Sequence, residues 1–347
     1  MRVLWVLGTH KDAFGPGDDP GVIARSPVAS DRLRVALPAR ALAPLGVDSA
    51  FCALEPGVAR PTVENYDTVV IGKFSAPARG GAARVVWWLD FARSVLDAGR
   101  RLVVDVSDYP FEEGAGPRVA FYRDMLPACS AVSVPSDWLA RAIAGACGSV
   151  PWVVADPYEG RPAAARFAPA DPVRLLWFGH ALNLHYLQAL VPGLVSLSAE
   201  RALALEVVTD AVQGIETSFQ RLTRKHAPHF AAGYRRWSLE TMPQALADCD
   251  IVLIPSDAAD PKKAGASANR LVESLVAGRL AVASPLEAYL PYADCALLDA
   301  DLIAGLRAAW RAPREMERRI RRGQRRVAER HAPEVIARQW LGVLDAP

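Results

Sequence analysis

Asp250–Ser284 reads DIVLIPSDAADPKKAGASANRLVESLVAGRLAVAS, and the pattern in this stretch decides the fold. Ile251–Pro255 is a short apolar run bounded by polar residues, as expected for a strand buried on both faces. Ser256–Gly265 is a polar loop carrying Asp257, Asp260, Lys262 and Lys263. Ser267 is a suitable N-cap for a helix running to about Ala277. Gly278 stops that helix in the C′ manner, and Leu280–Ala283 starts the next buried strand. Strand, loop, helix and strand form one βαβ unit, whose loop and helix N-terminus face the crevice at the carboxyl ends of the strands.

At about 100° per residue, Ala268, Leu271, Val272, Leu275 and Val276 share one arc of the helix, and Asn269, Arg270 and Glu273 share the opposite flank. The amides near Ser267 and Ala268 favour an anion such as a diphosphate. Lys262 or Lys263 adds a point charge, and Arg270 adds a planar fork of donors. Glu273 lies roughly 9 Å further along the axis than Ser267. That offset matches the distance from a diphosphate to the ribose diol of the same nucleotide, and a carboxylate accepts both hydrogen bonds of a diol. Periodicity by itself also allows an ordinary amphipathic helix with a solvated polar flank.

The order of these features resembles the donor-binding segment of GT-B glycosyltransferases, especially the retaining sugar-nucleotide transferases (family 4-like, group 1). By that resemblance Glu273 binds the ribose, and Ser267 and Ala268 form the diphosphate-binding helix start. The chain departs from the family at Gly265, where those transferases often carry a second Glu; Asp257 and Asp260 are the nearby substitutes. Related transferases also place a Gly at the position of Gly179 and a basic residue soon after. Gly179–Leu190 contains no Lys or Arg, so His180, Asn183 and His185 are the polar stand-ins. The segment 238–241 matches the part of the family that binds the base through backbone groups.

The totals agree with two domains. The chain has 347 residues, more than one core usually organises. It is 51% hydrophobic and 22% charged, with net charge +2, a balance that does not call for nucleic acid. Five scattered cysteines without a CxxC argue for reduced thiols and against a zinc site. Met1–Leu7 enters a strand directly, without a leader pattern, and the expected location is cytoplasmic.

The first half alternates strands and helices. Strands are expected at Val3–Leu7, Asp48–Ala53, Thr68–Gly72, Arg101–Val106, Ala131–Pro135 and Trp152–Ala155. A long Gly/Pro/Asp-rich loop spans Lys11–Pro27, and a helix capped by Ser30 or Asp31 runs to Gly46. Arg32 and Arg34 fall outside its apolar stripe, so they read as surface charge or as contacts to an anionic ligand. Domain one covers 1–165 and domain two 166–333, joined by the Pro/Ala-rich linker 160–172. The second half starts over, with strands at Val173–Phe178, Leu205–Thr209, Tyr234–Trp237 and 251–255. The expected fold is α/β, with two Rossmann-like domains facing a crevice. By resemblance, the last helix crosses back from 334 to pack on domain one.

Domain two is expected to bind the sugar nucleotide, and domain one an acceptor: a glycan, a lipid-linked group, a protein or a small molecule. The implied reaction is hexosyl or deoxyhexosyl transfer in glycan biosynthesis, with no metal. An inverting course needs a general base in domain one, and His10, Asp105 and Asp108 are the candidates. The resemblance points to a retaining course. The basic run 311–330 reads either as a solvated helix face or as a peripheral contact with an anionic membrane. Asp248-Cys249-Asp250 looks like a metal-binding DxD but sits where a helix ends and a strand begins. No GxGxxG follows Val3–Leu7, and there is no Walker A loop, GxSxG or HExxH. Two rival readings are a sugar-nucleotide epimerase on the same fold and a non-catalytic sugar-nucleotide-binding subunit.

Overall fold

The computed structural model describes residues 1–8, 15, 18–54, 56, 59–75, 80–111 and 116–345. They form two compact units. The first comprises Met1–Pro157, Gly265–Ser267 and Arg330–Pro347, and the second Tyr158–Ala264 and Ala268–Glu329.

In the first unit six parallel strands, β1 (Arg2–Leu7), β2 (Asp48–Ala53), β3 (Thr68–Ile71), β4 (Arg101–Asp105), β5 (Ala131–Val134) and β6 (Trp152–Val153), lie in the order β2-β1-β3-β4-β5-β6. Side chains alternate across a strand, so β1 supplies two cores. Val3, Trp5 and Leu7 face one layer, and Leu4 and Val6 face another with Trp88 and Phe91 of helix Gly81–Asp97. Burial on both faces explains why these strands read as continuous apolar runs.

The helical run after the long loop starts at Ala29. It passes through a π-helical stretch, Arg32–Ala36, and ends at Gly46, whose φ of 83° suits a residue without a Cβ. The π turn corrects the surface reading of Arg32 and Arg34. Widening the turn changes which residues face inward, and both arginines are only 3% exposed. Neither Ser30 nor Asp31 caps the run; Val28 precedes it, and Asp31 is buried against the Ser26 hydroxyl.

The terminal helix, Pro333–Asp345, belongs to this unit. Trp340 meets Trp5 edge-on with centroids 5.0 Å apart, and Ile336, Val343 and Leu344 join the same core.

In the second unit β7 (Val173–Phe178), β8 (Leu203–Thr209), β9 (Phe230–Arg236), β10 (Ile251–Ile254), β11 (Leu280–Ala283) and β12 (Leu297–Leu298) are parallel, in the order β12-β11-β10-β7-β8-β9. β7 pairs with β8 on one side and β10 on the other, so the strand order reverses between β7 and β10. Open α/β sheets receive ligands at such a switch point.

β12 and helix Leu302–Arg311 are among the elements missed in the sequence: β12 has only two residues, and the helix is announced mainly by its cap, the Asp301 carboxylate accepting from the N–H groups of Ile303 and Ala304. The basic helix, Pro313–His331, buries Met316, Ile320 and Val327. Its arginines hold the turn ahead of β12: Arg319 donates to the carbonyls of Ala293 and Ala296, and Arg322 and Arg326 bond to Asp294.

The connector between the units is also more ordered than its composition suggests. The Ala163 N–H donates to the Val276 carbonyl at 2.9 Å, the Arg166 N–H donates to the Gly278 carbonyl at 3.1 Å, and Phe167 is buried in the second unit's core. Backbone bonds of this kind leave no side-chain pattern to read.

Candidate functional site

The second unit's switch point brings several candidates together. Gly179 follows β7, Ser256 follows β10, and helix Asn269–Val276 carries Arg270 on its first turn. The Thr209 hydroxyl donates to the Gly179 carbonyl at 2.7 Å, which fixes the end of β7. A Cβ built on Gly179 would lie 3.6 Å from Arg270 Nη1. That nitrogen is buried and has no hydrogen-bond partner among the described residues, and the same is true of Ser256 Oγ. Buried polar atoms are nearly always paired, so two orphans at one sheet edge mark a place shaped for a polar ligand. Ser256 was not singled out in the sequence; the only available signal was its position directly after a buried strand.

Lys263 reaches the loop after β7. Its Nζ donates to Asn183 Oδ1 at 2.8 Å and lies 5.9 Å from the centroid of the Tyr186 ring. Asn183 is therefore a holder of Lys263, and Tyr186 is a partner that the sequence did not reveal. Lys262 is exposed, and its backbone N–H bonds to Asp260 Oδ1 at 2.9 Å. His180 accepts the Leu182 N–H at Nδ1, which leaves Nε2 facing Asp210 Oδ2 at 3.6 Å. His185 Nδ1 bonds to the Leu182 carbonyl at 2.8 Å.

The helix start differs from expectation. The helix begins at Asn269 with Ala268 at its N-cap and no side-chain cap bond, and Gly265–Ser267 falls in the first unit. Ser267 thus does not cap the helix, while Ala268 is buried in the core. Glu273 accepts two backbone N–H bonds, from Glu159 at 2.7 Å and Gly160 at 3.1 Å. Gly265, where the second Glu of the related transferases would stand, has no room for a side chain. A Cβ there would come within 2.5 Å of the Trp138 ring, and its carbonyl accepts from Ser136 Oγ. The two substitutes have local duties: Asp257 accepts from the Ala259 N–H, and Asp260 from the Lys262 N–H.

The first unit's candidates behave differently. Asp105 is 1% exposed; it receives Arg34 Nε at 3.1 Å and Nη2 at 2.5 Å, and Ser133 Oγ at 2.6 Å. Arg34 also bonds to Asp156 at 2.9 Å and to the Val154 carbonyl. Burial alone would lower the Arg34 pKa and is the largest single effect. The two carboxylates together outweigh it and hold the pKa above its ordinary value. Burial and these partners enclose the Asp105 carboxylate, which speaks against its reading as a base. Asp108 is 40% exposed and ion-paired with Lys73, at the carboxyl edge after β3 and β4. His10 lies outside the described residues. No group of three or more His, Cys, Asp and Glu that could hold a metal occurs among the described residues.

Two parallel six-stranded sheets with their covering helices define an α/β protein of two Rossmann-like units. No family model and no curated protein matches the sequence. Among solved structures the chain is similar to HepE of Anabaena, determined with UDP-glucose, at TM-score 0.67 and 14% identity, covering 100% of both chains. It is similar to a glycosyltransferase of Rickettsia africae, at TM-score 0.63 and 11% identity, over 99% of this chain and 97% of the other. It is also similar to AviGT4, a glycosyltransferase involved in avilamycin A biosynthesis, at TM-score 0.56 and 16% identity, over 100% of this chain and 98% of the other. The fold is GT-B.

Proposed function

We propose that the protein is a glycosyltransferase that takes a sugar from a nucleotide-sugar donor held by the second unit. The observation that carries this reading is the buried Nη1 of Arg270 beside Gly179 at the switch point, which has no partner among the described residues. An orphaned buried donor costs about 1–3 kcal/mol, and more when charged. A diphosphate oxygen placed there removes that cost. Lys263, held by Asn183, adds a second cation, and the amino end of helix Asn269–Val276 adds its dipole. Glu273 takes the ribose diol. The structural neighbours support the donor class, since HepE was determined with UDP-glucose and several neighbours are glycosyltransferases.

The chemistry follows from where charge develops. Breaking the bond between the anomeric carbon and the diphosphate leaves negative charge on a phosphoryl oxygen. Fixed cations and N–H groups stabilise that charge as it forms, and we read this as the means by which the protein works without a metal. The acceptor hydroxyl must lose its proton as it attacks. In a retaining course the departing phosphoryl oxygen accepts that proton on the same face of the sugar. In an inverting course Asp108, at the first unit's carboxyl edge, is the candidate base.

A melting-temperature screen against UDP, GDP, dTDP and CDP and their common sugars tests the reading, because a ligand of the native state raises the midpoint by mass action. One nucleotide series is expected to raise it, and the matching sugar nucleotide to be turned over to free nucleoside diphosphate. No shift with any of them contradicts the assignment.

A further inference from the structure

Tyr109, Phe111 and Trp138 form an aromatic cluster at the carboxyl edge of the first unit's sheet. Tyr109 and Phe111 follow β4, and Trp138 follows β5 on the first turn of helix Asp137–Cys147. Tyr109 meets Trp138 edge-on with ring centroids 5.6 Å apart, and Phe111 meets Tyr109 edge-on at 6.0 Å. The backbone around the rings is pinned. Arg118 donates to the Tyr109 carbonyl at 2.7 Å, and Ser136 Oγ caps the helix by accepting the Leu139 N–H at 3.3 Å. Gly265 lies against the indole, since a Cβ there would come within 2.5 Å of that ring. The three rings pack against the core that contains Phe74, Trp88 and Phe121. Those core rings are fully buried, whereas Tyr109, Phe111 and Trp138 are only half-buried.

We infer that the first unit takes the acceptor as a sugar ring laid on Tyr109, Phe111 and Trp138, which makes the acceptor a carbohydrate. The inference rests on the glycosyltransferase reading given above. Open α/β sheets receive ligands at the carboxyl edge, and aromatic side chains there give broad contact while losing little conformational freedom. A pyranose has C–H groups on its faces and hydroxyls on its rim. The negative faces of aromatic rings attract the C–H groups, and polar neighbours take the hydroxyls. Asp108 directly precedes Tyr109 in the chain; its Oδ2 pairs with Lys73, and its side chain stays 40% exposed. An acceptor hydroxyl on the rim of a ring held by Tyr109 is thereby brought to the loop that carries the candidate base. A phosphate-bearing acceptor calls instead for an unmatched cation, and Lys73, which reaches this loop, is already matched by Asp108.

The test titrates the full chain, without nucleotide, with the methyl glycosides of glucose, galactose, mannose and N-acetylglucosamine, and with glycerol phosphate, following saturation transfer by NMR. At least one glycoside is expected to bind, with transfer strongest at the C–H groups of one ring face, and glycerol phosphate is not. Tyr109→Leu and Phe111→Leu keep apolar bulk and remove the ring. Each should weaken the glycoside about threefold to tenfold, the scale of one aromatic contact, with the melting temperature and the nucleoside diphosphate affinity unchanged. Tyr109→Phe, which keeps the ring, should hold the wild-type affinity within about two-fold. Glycoside binding that is undiminished in both leucine variants overturns the inference. So does a wild type that binds a nucleoside diphosphate but no glycoside, or glycerol phosphate in place of one, and the donor reading then stands. A wild type that binds none of the nucleotides overturns the donor reading and the acceptor role with it.

Discussion

The carboxyl edges of the two sheets hold similar side chains and use them in opposite ways. In the first unit Arg34 is enclosed by Asp105, Asp156 and the Val154 carbonyl, and Lys73 is paired with Asp108. In the second unit Arg270 reaches the equivalent place, beyond β7 and β10, with one buried nitrogen that has no partner among the described residues, and Ser256 Oγ, beside the neighbouring strand end, has none among them either. One arginine completes a closed network and the other is left incomplete. A buried ion network is costly to break, because the remaining charges stay dehydrated. An incomplete site is cheap to remove from the free protein and costly to remove from a complex. The contrast separates an arginine enclosed by carboxylates from one that, on the proposed function, receives an anion.

The same substitution at the two edges breaks or sharpens this contrast most strongly. Arg34→Ala should destabilise the first unit by about 3–5 kcal/mol, since it strands two buried carboxylates, and denaturant melting read by tryptophan fluorescence measures it. A loss under about 1 kcal/mol would place Arg34 with ordinary surface charge. Next in size, Lys263→Ala should weaken nucleoside diphosphate binding about tenfold while leaving the melting temperature nearly unchanged, the scale of one charge-assisted contact. Asn183→Ala should weaken it about three-fold, because Lys263 stays but loses the Asn183 bond. Equal effects of the two variants would mean that Asn183 touches the ligand itself.

The smallest effect is a pH dependence confined to the first unit. His331 is buried and its Nδ1–H donates to the Asp156 carbonyl at 2.7 Å. Burial is the largest influence and lowers its pKa below the ordinary 6.5. The unfolded chain therefore binds a proton more readily than the folded one. The stability held by neutral His331 is complete above about 6.5 and is lost as pH falls through its lower folded value. Melting between pH 7.5 and 5.5 should decline less steeply in His331→Asn than in the wild type. Identical slopes would remove His331 from the account.

The sequence made the strands and the two-unit plan legible because burial on both faces leaves unbroken apolar runs. β7 and β11 have the bounds that their hydropathy predicts. The final helix was legible too, through Ile336, Trp340 and Leu344 at helical spacing, and it packs in the first unit. What stayed hidden has local causes. The π turn at Arg32–Ala36 breaks the 3.6-residue count on which facing is judged, so two buried arginines looked like surface charge. Asp105 looked like a base because sequence shows its place at a strand end, whereas its enclosure depends on Arg34, 71 positions earlier in the chain. The Lys263–Asn183 contact spans 80 positions and the hold of Gly160 on Glu273 spans 113. Neither separation leaves a periodic trace. The cap was misplaced because Ser267 has the chemistry of an N-cap but belongs to a segment that packs in the other unit.

The most direct measurement is a calorimetric titration of the wild type and Arg270→Ala with UDP, GDP, dTDP and CDP, alongside their melting curves. The account predicts that one nucleotide binds the wild type, that Arg270→Ala weakens it about tenfold to a hundredfold, and that the unliganded variant melts at or slightly above the wild-type temperature. Undiminished binding by Arg270→Ala, or a variant that melts far below the wild type, would contradict it.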